Sequence, residues 1–226
     1  MKLKLIGKRQ EAENITTFIF APDPSADGFT WEAGQFMIYS LPHEKEDIRG
    51  RQRFFTISAA PFEKRPMIST RIFPKPSSFK KKLNNLKIGD EINAKGPDGD
   101  FVVDNIEQNS VFLAGGIGIT PYRSIILDLD HQNKPMNITL LFSNKTSDFP
   151  FRRELDEAAE KNSSLRVHYL NKRVDENVIR ELVPNVSDSI FYVSGPDAMV
   201  EEMLEVLKSL EIKEENIKSD YFSGYD

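Results

Sequence analysis

VFLAGGIGITPYRSIILDLD runs from Val111 to Asp130. Val111, Phe112 and Leu113 make the short apolar run of a buried strand. Ala114 to Gly118 is a turn in which Gly115, Gly116 and Gly118 let the backbone be approached closely. Thr120 is expected to cap a helix and Pro121 to take its first position, where a missing N–H costs nothing. Strand, glycine turn and helix N-terminus in this order aim free N–H groups and the positive end of a helix dipole at one place, which suits a pyrophosphate. The spacing is that of G-x-G-x-x-G with Pro121 in place of the third glycine, so it departs from the ordinary dinucleotide fingerprint. Taken alone, the turn is equally well read as a strand-to-helix connection that binds nothing.

Beyond this unit the pattern alternates. Strands are expected at Val111–Ala114, Ile138–Phe142, Arg166–Leu170 and Ile190–Ser194, and helices at Pro121–Asp130, Phe151–Lys161, Glu176–Leu182 and Asp197–Leu210. That order predicts a parallel sheet with helices on its faces, which binds ligands at the C-terminal ends of its strands. Those ends carry Gly115 to Thr120, then Ser143, Asn144 and Lys145, then Ser194, Gly195 and Pro196. An acidic residue after the second strand would hold a ribose 2′-OH. Here the first one is Asp148, beyond a hydroxyl and an ammonium, which predicts a 2′-phosphate and hence NADPH over NADH.

The preceding half has a different texture. Strands are expected at Lys2–Ile6, Ile15–Phe20, Gln35–Leu41, Arg53–Ser58, Met67–Phe73 and Glu91–Lys95, with little helix, as in a small antiparallel barrel. One helix, Phe79–Leu86, is capped by Ser77 or Ser78 and ended by Gly89 and Asp90. In RFFTIS, strand alternation sets Arg53, Phe55 and Ile57 on one side and Phe54, Thr56 and Ser58 on the other. An arginine for phosphate, an aromatic ring and a hydroxyl make a flavin edge, or else a plain amphipathic strand. KPSSFKKKL, from Lys75 to Leu83, offers a second phosphate-binding helix start at Ser77 and Ser78, or a capped helix with a solvated lysine face. Lys64, Arg65, Lys75 and Lys80 to Lys82 form either a docking patch for an acidic partner or a solvated surface.

The 226 residues, 39% hydrophobic and 29% charged, suit one large or two small globular domains. A net charge of -5 argues against a nucleic-acid surface, and the absence of cysteine excludes disulfides, a thiol nucleophile and a cysteine-held iron–sulfur cluster within these residues. His43, His131 and His168 lack metal-ligand spacing, so no metal site is expected. MKLKLIGKRQEAEN has scattered charges and no signal-like apolar core, and no run approaches the ~18 apolar residues of a membrane span, so a cytoplasmic protein is expected.

RFFTIS, SSFKKKL, GGIGITP, SGPDAM and the terminal YFSGY stand in the order found in the ferredoxin-NADP reductase superfamily, which the sequence resembles over essentially its whole length. The resemblance implies an FAD-binding antiparallel barrel at 1–106 and an NAD(P)-binding α/β domain at 107–226, with hydride passing between nicotinamide and flavin N5. It assigns Arg53 to the flavin phosphate, Phe55, with Phe54 beside it, to the isoalloxazine, Thr56 to the N5 region, and Ser77 and Ser78 to the pyrophosphate. Arg71, Ile72 and Phe73 join the candidate flavin set, and Gly115, Gly116, Gly118, Thr120, Pro121, Ser143, Asn144, Lys145, Gly195 and Pro196 the NAD(P) set. Thr56, Ser194 and Tyr225 are the candidate catalytic residues. Two departures stand out: Phe55 replaces the family's usual tyrosine, and Ser194 replaces the cysteine common before Gly-Pro. In the terminal Tyr221 to Asp226, an aromatic ring is expected either to pack against the barrel or to cover the flavin, with Tyr225 the first candidate and Phe222 the second. The expected activity is an FAD-dependent NAD(P)H oxidoreductase serving a small carrier such as ferredoxin or flavodoxin. The alternatives are a reductase of free flavin and an electron-transfer subunit of a larger oxygenase or dehydrogenase.

Overall fold

Two compact units, Met1–Val102 and Val103–Asp226, divide the chain, and each is built on its own sheet. The computed structural model describes residues 1–26, 28–44 and 46–221.

The first sheet is antiparallel: β1 (Lys2–Ala12), β2 (Ile15–Pro22), β3 (Phe36–Ser40), β4 (Gln52–Thr56), β5 (Met67–Arg71) and β6 (Glu91–Asp98), in the order β4-β3-β6-β1-β2-β5. Its two outer strands meet where the Ser58 N–H, just past β4, donates to the Met67 carbonyl at 3.1 Å. The sheet is thereby curled into a nearly closed barrel, which reduces the unpaired edge of an open sheet. Alternate residues point inward: Leu3 and Leu5, Met37 and Tyr39, Ile92 and Ala94 are all buried. Helix α1 (Ser78–Asn85) adds Phe79 and Leu83 to that core, and Leu86 follows one helical turn later. β1 outruns its expected end at Ile6 because its polar outer half still pairs with β2, as far as Ala12 opposite Ile15. The hairpin turns at Asn14, whose φ of 61° asparagine tolerates.

The second sheet is parallel, with β7 (Ser110–Gly115), β8 (Ile138–Ser143), β9 (Leu165–Leu170), β10 (Ile190–Gly195) and β11 (Ile217–Tyr221) in the order β11-β10-β7-β8-β9. Its helices are α2 (Thr120–His131), α3 (Arg152–Lys161), α4 (Glu176–Leu182) and α5 (Asp197–Ser209). Val111, Leu113, Phe191 and Val193 pack with Val178 of α4 and Val200 of α5, while the neighbouring Phe112 stacks on Tyr122 of α2 at 4.5 Å. β7 is thus buried on both faces, which is why it reads as a continuous apolar run. The expected fold class is what is observed. β11 was not expected: IKSDY is mixed in polarity because it lies at the sheet edge, paired only with β10. Among the described residues, no helix is long and apolar enough to cross a membrane.

Arg123 of α2 is 1% exposed and meets Glu154 of α3 through two hydrogen bonds, Nε to Oε2 at 2.7 Å and Nη2 to Oε1 at 3.1 Å. Its guanidinium also lies 5.2 Å from the centre of the Phe151 ring. Removing the carboxylate takes the opposite charge away from a buried cation. Glu154→Ala is therefore expected to lower stability in urea denaturation by about 3 kcal/mol, towards the low end for broken buried pairs because Glu154 keeps some contact with water.

Candidate functional site

In the barrel unit, charge gathers at the start of α1. The Ser77 Oγ accepts the Lys80 N–H at 3.2 Å, so Ser77 is the cap and Ser78 the first helical residue. The Ser78 N–H donates to Asp47 Oδ2 at 2.8 Å, and the Asp47 N–H donates to Ser78 Oγ at 3.0 Å. Arg49 adds its N–H to Oδ1 at 3.0 Å and Nη2 to Oδ2 at 3.1 Å, and Arg53 Nη2 lies 3.6 Å from Oδ1. The Ser78 amide, with help from Arg49, stabilises the charged carboxyl and holds Asp47 at about 2. Carbonyls of Arg49 and Gly50 accept from Arg53 Nη1 at 2.7 and 3.1 Å, fixing the guanidinium 5.4 Å from the Phe79 ring centre.

Lys80 corrects the picture of a solvated lysine run. It is only 7% exposed, whereas Lys81 and Lys82 are exposed. Its Nζ donates to the Arg71 carbonyl at 3.2 Å. Burial first, and then the charges of Arg53, Arg49 and Arg71, bring its pKa down to about 7. The helix also ends at Asn85, ahead of Gly89 and Asp90. Asp47 and Lys80 were both missed in the sequence: one sits in a charged loop and the other among like neighbours, and only position in the first turn of α1 separates Lys80 from Lys81 and Lys82.

Strand alternation in β4 holds with the expected sides, but the side that carries Phe55 faces the core. Phe55 is 3% exposed, with Tyr39 at 6.0 Å and Phe79 at 5.9 Å, so its ring belongs to the barrel core and is not presented for stacking on a ligand. Phe54, 62% exposed and 5.6 Å from Phe36, is the aromatic turned outward. Thr56 and Ser58 are buried, and Ser58 Oγ, Ser69 Oγ and Thr17 Oγ1 form a chain with 2.7 Å steps. At the end of β5, Arg71 is half-buried near the exposed Phe73, and the Ile72 N–H donates to the Asn14 carbonyl.

At the strand ends of the second unit, a 3-10 turn over Gly116–Ile119 joins β7 to α2. Thr120 is consequently the first residue of α2 and not its cap, and its Oγ1 donates to the Ile117 carbonyl at 3.1 Å, while Pro121, expected in the first position, takes the second. The chain bends at once after β7, with Gly116 at φ 55°, and leaves no extended residue for capping. A Cβ on Gly118 would fall on the carbonyl of Ser194, 2.5 Å from its carbon, and Cβ atoms on Gly115 or Gly195 would come within 2.5 or 2.6 Å of the Met199 sulfur. These three glycines thus give room to the protein's own atoms. Ser194 is fully buried, and its Oγ has no hydrogen-bond partner among the described residues. Ser143 Oγ donates to the Lys172 carbonyl at 2.8 Å, and Asn144 Nδ2 donates to the Asp148 carbonyl at 2.9 Å, so both are engaged in shaping the turns after β8 and β9. Lys145 and Lys172 are exposed there, and Lys172 was not anticipated.

Residues 112–205 match the family model of the oxidoreductase NAD-binding domain. Over 235 residues, 95% of this chain, the sequence is 26% identical to flavohemoprotein A of Dictyostelium discoideum. Together these similarities support the ferredoxin-NADP reductase-like superfamily. A glycine betaine monooxygenase reductase subunit from Chromohalobacter salexigens is 27% identical over 217 residues, 88% of this chain. The chain spans 58% of the length of each of these two relatives. The superfamily fold is matched in the flavohem-like FAD/NAD-binding domain of a Vibrio cholerae nitric oxide dioxygenase, with a TM-score of 0.81, 24% identity and 98% coverage of both chains.

Of the superfamily positions, the barrel unit gathers Arg53 and Ser78 at the start of α1, and the second unit gathers Gly115, Gly118, Ser194 and Gly195 at adjoining strand ends. Phe222 and Tyr225 lie outside the described residues. The split between Phe54 and Phe55 has a direct test in urea denaturation. Phe55→Ala is expected to cost about 3–5 kcal/mol, as for a phenylalanine removed from a core, and Phe54→Ala under about 1 kcal/mol.

Proposed function

We propose that the chain is an FAD-dependent NAD(P)H oxidoreductase passing electrons to a small carrier protein of the ferredoxin or flavodoxin kind. The observation that carries this reading is the start of α1, where a helix amide, Arg49 and Arg53 hold an anionic group and Lys80 and Arg71 add positive charge close by. That donor set fits the diphosphate of FAD. Arg53 and Ser78 would hold the diphosphate, Phe54 would cover the isoalloxazine, and Thr56 would lie at its N5 region. Bound FAD supplies the exchange between two-electron chemistry with nicotinamide and one-electron chemistry with the acceptor.

In the second unit, the Ser194 hydroxyl, without a partner among the described residues, fits a polar group of the nicotinamide end, because a buried unbonded hydroxyl costs about 1–3 kcal/mol until a ligand bonds it. Gly116, Pro121, Gly195 and Pro196 would border that ligand. Lys145 and Lys172 would receive a 2′-phosphate, while Ser143 and Asn144 hold the turns that carry them.

A second reading makes the chain the reductase part of a larger oxygenase system. Its support is the similarity to an oxygenase reductase subunit.

Arg53→Ala is expected to purify largely free of flavin, and full FAD content with unchanged affinity in that variant would remove the barrel site from the proposal. For the coenzyme, kcat/KM is expected to favour NADPH, and Lys145→Glu to erase most of the preference. A clear advantage for NADH, or undiminished discrimination in Lys145→Glu, would sink it.

A further inference from the structure

We infer that Lys80 is a further binding residue of the flavin site, donating to the diphosphate of FAD and tying FAD affinity to pH; the inference rests on the flavin reading above. Burial, the start of a helix and three arginines disfavour an ammonium in the chain alone and outweigh the bond that Nζ donates to the Arg71 carbonyl at 3.2 Å. Lys80 is buried in the first turn of α1, where the helix dipole is positive. Arg53 from β4, Arg71 from the end of β5 and Arg49 from the loop before β4 all bear on it with like charge. The nearby Asp47 carboxylate is bound to Ser78 and Arg49. A methionine would fill the same space without charge. The same features that repel a cation attract a polyanion, and a diphosphate brings the negative charge that turns the cluster from strained to satisfied.

The pH dependence follows from linkage. Without the anion, Lys80 loses its proton near pH 7. A diphosphate beside it raises that value. Below pH 7 the lysine is charged in both states and affinity is greatest. Above pH 7 binding must take up a proton, so affinity falls as pH rises, by at most about tenfold per unit, until the bound-state value is reached. Asp47, held at about 2, stays ionised.

The test is titration of full-length, flavin-stripped protein with FAD from pH 6 to pH 9, following flavin fluorescence, for wild type, Lys80→Met and Lys80→Arg. Lys80→Met is expected to bind FAD about 10- to 100-fold more weakly at pH 6.5, the range for one charged hydrogen bond. Its residual affinity should be flat with pH, and its flavin-free Tm at pH 7 equal to or above that of wild type. Lys80→Arg should keep the affinity and lose the pH dependence. Wild-type affinity and pH profile in Lys80→Met, or a weakening accompanied by a lower flavin-free Tm, would overturn the inference. Wild-type protein that binds no FAD at any pH would instead overturn the flavin reading itself.

Discussion

The carbonyl of Ser194 occupies the space that a side chain at position 118 would need. Much of the second unit depends on this contact. It brings the 3-10 turn after β7 against the end of β10, and Gly115 and Gly195 leave the Met199 sulfur its place beside them. The sheet order β11-β10-β7-β8-β9 runs outward from β7 in both directions, so the gap between β7 and β10 is where the winding reverses. Ligands of open parallel sheets bind at such a reversal. The glycine pattern therefore serves two masters: it lets two strand ends close on each other, and by doing so it shapes the crevice.

Much of this was legible in advance. Continuous apolar runs announced β7, β8 and β10 because they are buried on both faces, and amphipathic spacing placed α4 without error. What escaped notice lacked such contrast. β11 is an edge strand with polar residues, and the outer half of β1 is exposed and charged, so backbone pairing defines both. Thr120 was misplaced because a 3-10 turn leaves no composition of its own to distinguish it from a loop. Candidate site residues divide the same way. Arg53 and Ser194 stood out by motif, whereas Asp47 and Lys80 acquire meaning only when a loop and a helix 31 positions apart in sequence are brought together, as the Asp47–Ser78 bond shows. RFFTIS disclosed the alternation of β4 but not which side is interior, because that depends on Tyr39 and Phe79 from other elements.

β4 carries Arg53 and Phe55 on the same side, one at the edge of the charged cluster and the other in the barrel core against Phe79. The Phe79 ring touches both and belongs to the very helix whose first amide holds the anionic group. The charged cluster and the core packing therefore share one ring. The loop that carries Asp47 and Arg49 is tied to the same helix start. A change that unseats Phe79 from the core would therefore displace the Arg53 guanidinium and the first amide of α1 together.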